Sequence, residues 1–84
     1  SGSDRFYKQG SINNLEKHMQ YLMQEAGLTS READVACLIC DGLSDKEVAR
    51  ILSLSHHTVK DHLKKIYSKF RVHARSQLVS LMFK

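Results

Sequence analysis

Residues 44–70 read SDKEVARILSLSHHTVKDHLKKIYSKF, and this stretch decides the fold. It opens with a capping box, SDKE, in which the serine and glutamate side chains can each accept a hydrogen bond from the other's backbone N–H group. Apolar residues then recur at helical spacing on both sides of a short turn at 53–55. The second apolar series runs in steps of four, three and four, at Val59, Leu63, Ile66 and Phe70. The stretch predicts a helix over 45–53, a tight turn, and a longer helix over 56–70.

The flanking sequence predicts further helices. A second capping box at Thr29–Glu32 begins a helix that ends at Gly42, with its inward side formed by Val35, Leu38, Ile39 and Cys40. Residues 11–26 form an amphipathic pattern between a candidate N-cap at Ser11 and a candidate C-cap at Gly27. A last helix is expected over about 74–83, with Leu78, Val79 and Met82 on its apolar side.

The predicted fold class is therefore all-α, a four-helix helix-turn-helix domain preceded by an amphipathic linker helix. The expected bounds are 28–84 for the domain and 11–27 for the linker helix. Residues 1–10 are expected to be a flexible N-terminus, and their SGS opening has the composition of a tag remnant. The apolar stripe of the linker helix could pack on its own domain, or it could couple or dimerise, and both interpretations stay open.

Charge is distributed unevenly along the chain. Residues 1–55 carry six Lys/Arg and eight Asp/Glu, a net charge of −2, whereas residues 56–84 carry seven Lys/Arg and one Asp, a net charge of +6. A cationic helix with a cationic neighbour is typical of a phosphate-binding face. A solvated basic surface without a partner has the same composition, so this alternative stays open.

Other classes of protein find little support. Cys37 and Cys40 form a CxxC pattern without the second pair of ligands that a tetrahedral zinc site needs. We expect them to be small core residues, and we expect no metal, no cofactor and no enzymatic activity, because no nucleophile, acid and base converge. The sequence has no apolar run of about 18–20 residues and no signal-peptide pattern, so the expected location is the cytoplasm, with no membrane partner.

In a helix-turn-helix, the second helix presents side chains to base edges in the DNA major groove. Lys60 and Lys64 lie one turn apart on the predicted outer face of the second helix, where long donors could reach the O6 and N7 acceptors of guanine. Asp61 could accept a hydrogen bond from cytosine N4, or it could pair with a neighbouring lysine. Both interpretations stay open.

Four ordered blocks of sequence carry a resemblance to a known family. They are LTSRE at 28–32, GLSDKEVA at 42–49, SHHTVKDH at 55–62 and RSQ at 75–77. Together they resemble the LuxR-type DNA-binding domain, also called GerE- or NarL-type, over residues from 28 to about 82. The resemblance implies a domain of a bacterial transcription regulator, whose third helix reads DNA and whose fourth helix often mediates dimerisation on the operator.

The resemblance also implies roles for individual residues, carried over by position. Bases would be faced by Lys60, Asp61 and Lys64. Phosphates would be contacted by His57, Thr58, Lys65, Lys46 and Arg75, of which Lys46 and Arg75 are alternatively scaffold residues. On the last helix, dimerisation would use Ala74, Gln77, Leu78 and Leu81. A two-fold symmetric dimer predicts inverted half-sites about 10 bp apart.

Four positions depart from the family pattern: Ala36, Asp61, Arg71 and Ala74. Arg71 stands where a glycine commonly ends the reading helix, which predicts a left-handed non-glycine residue. Ala74 replaces a polar N-cap, so we expect the last helix to fray or to be capped by His73.

The expected partners are double-stranded DNA, a second copy of the chain on DNA, RNA polymerase, and an upstream sensor or receiver domain. The alternative function is a protein-interaction module that keeps the fold but binds RNA polymerase or another regulator. Asp61, an anion on the predicted DNA face, favours this alternative.

Overall fold

The structure of the protein is a computed structural model that describes residues 14–83 of the 84-residue chain. These residues form five helices and no strand: α1 Asn14–Ala26, α2 Ser30–Cys40, α3 Asp45–Leu52, α4 His56–Phe70 and α5 Arg75–Met82. The all-α expectation is confirmed. The N-cap expected at Ser11 and the tag-like residues 1–10 lie outside the described residues. Between residues 14 and 83, no helix is both long enough and apolar enough to cross a bilayer.

Local hydrogen bonds begin the three central helices where the sequence predicts. In the first capping box, Thr29 N–H donates to Glu32 Oε1 at 3.0 Å and Glu32 N–H donates to Thr29 Oγ1 at 3.1 Å. The second box repeats this pattern between Ser44 and Glu47, at 2.8 and 3.2 Å. At the start of α4, Thr58 N–H donates to the Ser55 side chain at 3.0 Å. Each box satisfies backbone donors that a helix start would otherwise leave unpaired.

The first four helices all end in the same backbone motif. A residue with positive φ lies one or two positions after the last residue of each helix, and an apolar residue follows it. The N–H group of this apolar residue donates to the carbonyl oxygen five positions earlier. Examples are Leu28 N to Met23 O at 3.1 Å and Val72 N to Tyr67 O at 2.9 Å. Glycine occupies the positive-φ position twice, at Gly27 and Gly42; the other two are Ser53 with φ 56° and Arg71 with φ 58°. The conformation expected at Arg71 is confirmed, whereas that of Ser53 was not anticipated.

One core joins all five helices. α4 packs against α2 and α3, and α5 packs against α2 and α1. The buried apolar side chains are Met19, Met23, Val35, Ala36, Ile39, Val48, Ala49, Val59, Leu63, Ile66, Leu78 and Met82. Met19 and Met23 belong to this cluster, so the apolar stripe of α1 packs on its own domain.

Leu78 corrects one expectation about the last helix. Its side chain was expected to contribute to dimerisation, but it is 0% exposed and lies in the core cluster. The apolar side of α5 is covered by α2 and α1 of the same chain, and Leu78 is therefore a core residue.

Candidate nucleic-acid interface

The outer face of α4 is polar and mostly cationic. Val59, Leu63 and Ile66 are buried, and at 3.6 residues per turn their side of the helix faces away from His57, Asp61 and Lys64. The exposed residues of α4 include every base-facing candidate and two of the phosphate candidates: His57, Lys60, Asp61, Lys64 and Lys65. The structure therefore brings these five predicted site residues together on one accessible surface.

The N-terminal end of α4 is organised by hydroxyl groups. The Ser55 side chain accepts the Thr58 N–H, and its Oγ lies 2.8 Å from Thr58 Oγ1. Thr58 is half-buried, and its hydroxyl is engaged with the N-cap. The first turn contains no acidic residue, so the partial positive charge of the helix N-terminus is not cancelled locally. An anion such as a phosphate oxygen is favoured at such an end.

The side chain of Asp61 lies beside a histidine. Within the described part of the chain, Asp61 Oδ2 lies 3.4 Å from His57 Nε2, one turn earlier on the same helix. The pairing of Asp61 with a neighbouring lysine, which the sequence left open, is not formed among these residues. The i,i+4 spacing of the two residues was the signal that could have identified this contact from the sequence.

The C-terminal end of α4 is anchored by a buried carboxylate. Lys69 Nζ lies 2.6 Å from Glu32 Oε1 and 3.0 Å from Gly27 O, and Glu32 is 3% exposed. Burial by itself raises the pKa of Glu32, but hydrogen bonds from Lys69 and Thr29 and the charge of Lys69 lower it below 4.5 overall. The capping role expected for Glu32 is confirmed, and its carboxylate also forms a salt bridge with Lys69. The ammonium group of Lys69 thus ties the C-terminal end of α4 to the start of α2.

Arg75 is engaged within the chain. Its Nη2 donates to Leu43 O, and its Nη1 lies 3.5 Å from Asp45 Oδ1. These contacts join the start of α5 to the turn that precedes α3. They match the scaffold alternative for Arg75, and its contact with a phosphate stays a prediction. Lys46, the other residue with two alternatives, is exposed in the first turn of α3.

The exposed side of α5 borders a shallow open groove. Gln77 and Leu81 line it, together with Arg71, Val72, His73 and Ser76. Ala74, the N-cap residue of α5, makes no side-chain capping bond. The hydrogen bond at the N-terminal end of this helix instead involves Gln77, whose Oε1 accepts the His73 backbone N–H at 2.6 Å. His73 thus takes part as a backbone donor and not as the cap. Of the four dimerisation candidates, Ala74 and Gln77 are exposed and Leu81 is half-buried.

The two cysteine thiols show little reactive character. Both side chains are half-buried in α2, and burial, followed by nearby negative charge, raises the pKa of both. The pKa of Cys40 rises to about 11. Because the thiolate is the reactive form, neither residue is prepared for nucleophilic chemistry at neutral pH. Among the described residues, no group of three or more potential metal ligands occurs.

Comparison with known proteins places this arrangement in a family. The family model described as "Bacterial regulatory proteins, luxR family" matches residues 26–82, which include α2 to α5 and both capping boxes. The chain belongs to the LuxR family. This confirms the resemblance carried by the four sequence blocks, and the family is one of transcription regulators and not of enzymes. No solved structure matches the chain significantly.

Several curated relatives are transcription regulators. The chain is 42% identical over 66 residues to the response regulatory protein YgeK of Escherichia coli K12, covering 79% of this chain and 45% of that protein. It is 34% identical over 85 residues to the monoamine regulon transcriptional regulator of Klebsiella aerogenes, covering 95% and 37%. For the transcriptional regulatory protein LiaR of Bacillus subtilis 168, the identity is 33% over 66 residues, covering 79% and 31%. The chain thus spans less than half the length of these relatives.

Proposed function

We propose that this chain binds double-stranded DNA sequence-specifically, as the effector domain of a bacterial transcription regulator, with α4 in the major groove. The observation that carries the proposal is the outer face of α4, where five predicted site residues are exposed together on the side opposite the core. The proposed base contacts come from Lys60, Asp61 and Lys64, which lie on two neighbouring turns of α4.

The proposed phosphate contacts surround this reading face. Lys65 is exposed on α4, Lys46 is exposed on α3, and Thr58 lies in the first turn of α4. His57 lies near the same helix N-terminus, and the half-buried Arg75 at the start of α5 is the fifth proposed phosphate contact. Cations on two neighbouring helices allow contacts with phosphates while the reading helix contacts bases.

The test is a fluorescence anisotropy titration with a labelled duplex selected from random sequence, compared with a scrambled duplex over a salt series. We expect the selected duplex to bind well above the scrambled one, with an affinity that falls as salt rises, because bound phosphates release counterions. Lys64→Ala should weaken specific binding by about 1–3 kcal/mol, the range for a base contact. Lys65→Ala should instead weaken binding to both duplexes and reduce the salt slope by about one.

Lys17→Ala is the matched control, because Lys17 is exposed on α1 and outside the proposed interface. It should change neither specific affinity nor salt slope by more than experimental error. If the folded chain binds no duplex at low salt but retains a subunit of RNA polymerase, the protein-interaction alternative replaces the proposal.

We also propose that two copies bind an inverted repeat, with half-sites about 10 bp apart. The exposed Ala74 and Gln77 and the half-buried Leu81 on α5 would form the contact, beside the open groove at the end of α4. Sedimentation of the complex should give two chains per duplex, and Leu81→Glu should reduce this to one without unfolding the chain. A single chain on an intact inverted repeat would contradict this part of the proposal.

An upstream regulatory domain is the last part of the proposal. The relatives that are longer than this chain include a response regulatory protein. The helix α1, which packs on the core through Met19 and Met23, would connect the domains. Operator affinity of the full-length protein, measured before and after phosphorylation, tests whether the domain is a receiver. An unchanged affinity would favour a sensor of another kind.

A further inference from the structure

His57 and Asp61 lie one helix turn apart on the outer face of α4. Both side chains are exposed, at 85% and 57%, and His57 Nε2 lies 3.4 Å from Asp61 Oδ2. Both residues lie on the side of α4 opposite the buried Val59 and Leu63. The contact is made within one helix turn, so it can persist when the helix enters a groove.

A carboxylate at this position needs a counter-charge. An unpaired Asp61 would approach the anionic DNA backbone with its full negative charge, and like charges repel strongly when water is displaced from an interface. A protonated histidine at the 57 position would cancel that charge. Histidine is the side chain that ordinarily changes its charge near neutral pH, and a charged side chain at this position would be attracted by the phosphates of a bound duplex.

The charged groups on the helices packed against α4 are engaged elsewhere or lie outside this contact. Glu32 is bonded to Lys69, Asp45 pairs with Arg75, and Glu47 closes its own capping box. Arg31 pairs with Asp34, and Lys46 and Arg50 are exposed on α3. On α4 itself, the remaining titratable neighbours of the pair are His56, Lys60, His62, Lys64 and Lys65. In the described residues, none of these groups lies within ion-pair distance of Asp61, and His57 does.

We infer that His57 and Asp61 act as one specificity-determining unit. Asp61 accepts a hydrogen bond from the N4 amino group of a cytosine, the base whose major-groove donor a carboxylate complements. His57, in its charged form, holds the carboxylate in position and neutralises it against the phosphates. This inference rests on the proposed DNA-binding function and deepens it, since it assigns His57 to base selection through Asp61 and not to a phosphate alone.

The inference makes base preference and proton uptake depend on the same two residues. Because DNA binding then favours charged His57, affinity for the selected duplex should rise about three- to tenfold as the pH falls from about 8 to about 6. At one base pair, exchange of cytosine for thymine should cost about tenfold in affinity. Neither effect would arise from a histidine that only fills space on the surface.

The experiment is a double-mutant cycle with His57→Gln, Asp61→Asn and the double variant, measured by anisotropy at both pH values on the cytosine and thymine duplexes. His57→Gln should lose most of the pH dependence and most of the discrimination. Asp61→Asn should shift the preference at this base pair towards adenine, which an amide contacts through N6 and N7. The double variant should lose less affinity than the sum of the single losses, because the two residues act together.

His56→Gln is the matched control, since His56 is exposed in the same helix turn but pairs with no carboxylate among residues 14–83. It should keep both the pH dependence and the base preference. Additive losses in the cycle, or pH dependence that follows His56 instead, would overturn the inference while leaving DNA binding intact. If the unaltered chain binds no duplex at all, the proposed function fails and the inference fails with it. The failure of the inference alone therefore differs from the failure of the proposed function, because DNA binding remains in the first case and is absent in the second.

Discussion

The two ends of α4 are held in different ways. At the N-terminal end, the polar contacts are made within the helix and its cap, between Ser55 and Thr58 and between His57 and Asp61. At the C-terminal end, Lys69 reaches another helix and bonds to Glu32 and to Gly27 O. The proposed reading end thus keeps its polar groups exposed to a partner, while the opposite end fixes the direction of the helix. We expect substitutions at the anchored end to act on folding and those at the reading end to act on DNA binding.

The largest expected effect is at the anchored end. Glu32→Ala removes a buried carboxylate that accepts hydrogen bonds from Thr29 and Lys69, so it should lower the free energy of unfolding by about 3 kcal/mol. Glu32→Gln keeps an oxygen that can accept the capping bond, and its loss should be about half as large. Urea unfolding measures both losses. Equal losses in the two variants would show that the capping bond contributes nothing.

Acid should weaken the same anchor. Because the pKa of Glu32 in the folded chain is lowered below 4.5, its ionised form stabilises the fold above that pH, and this contribution is lost as the pH falls through the folded pKa. The free energy of unfolding of the unaltered chain should therefore fall more steeply below pH 4.5 than that of Glu32→Gln. Urea midpoints over this range measure the difference. Parallel curves would mean that Glu32 has the same pKa in the folded and unfolded chains.

The reading end should respond to loss of its cap. Ser55→Ala removes the acceptor of the Thr58 N–H, which should cost about 1 kcal/mol and let the first turn of α4 fray. Hydrogen exchange of the Thr58 amide should accelerate, and operator affinity should fall. Ser55→Asn, which can cap a helix equally well, should restore both. A variant that loses stability but keeps full operator affinity would contradict the assignment of this end to DNA.

Local chemistry explains which elements could be predicted from the sequence. The capping boxes at 29–32 and 44–47 and the apolar steps of α4 involve residues at most four positions apart, and the predicted helix over 56–70 matches His56–Phe70. The helix predicted over 74–83 is Arg75–Met82, shorter at both ends. Such patterns specify where a helix begins and which of its sides is apolar.

Contacts between distant parts of the chain could not be read in this way. Lys69 and Glu32 are 37 positions apart, and the lysine's place in the sequence resembles that of any exposed cation. Leu78 illustrates the same limit, since helical periodicity identifies an apolar face without telling whether this chain or a second copy covers it. The base and phosphate contacts stay predictions, because they depend on the shape and charge of DNA as well as on α4.

The smallest expected effect is at the last turn of the anchored end, where Arg71 follows α4 with φ 58°. Gly27 and Gly42 fill the equivalent position after α1 and α2, and glycine adopts positive φ without the steric cost that a side chain brings. Arg71→Gly should therefore raise the free energy of unfolding by about 0.5–1 kcal/mol, the residual after the greater flexibility of glycine in the unfolded chain. Arg71→Ala removes the same charge but keeps a Cβ, so it should not stabilise the chain. Thermal unfolding of the two variants measures the difference. If both are stabilised equally, the gain comes from removing the cation and not from relief of the left-handed backbone.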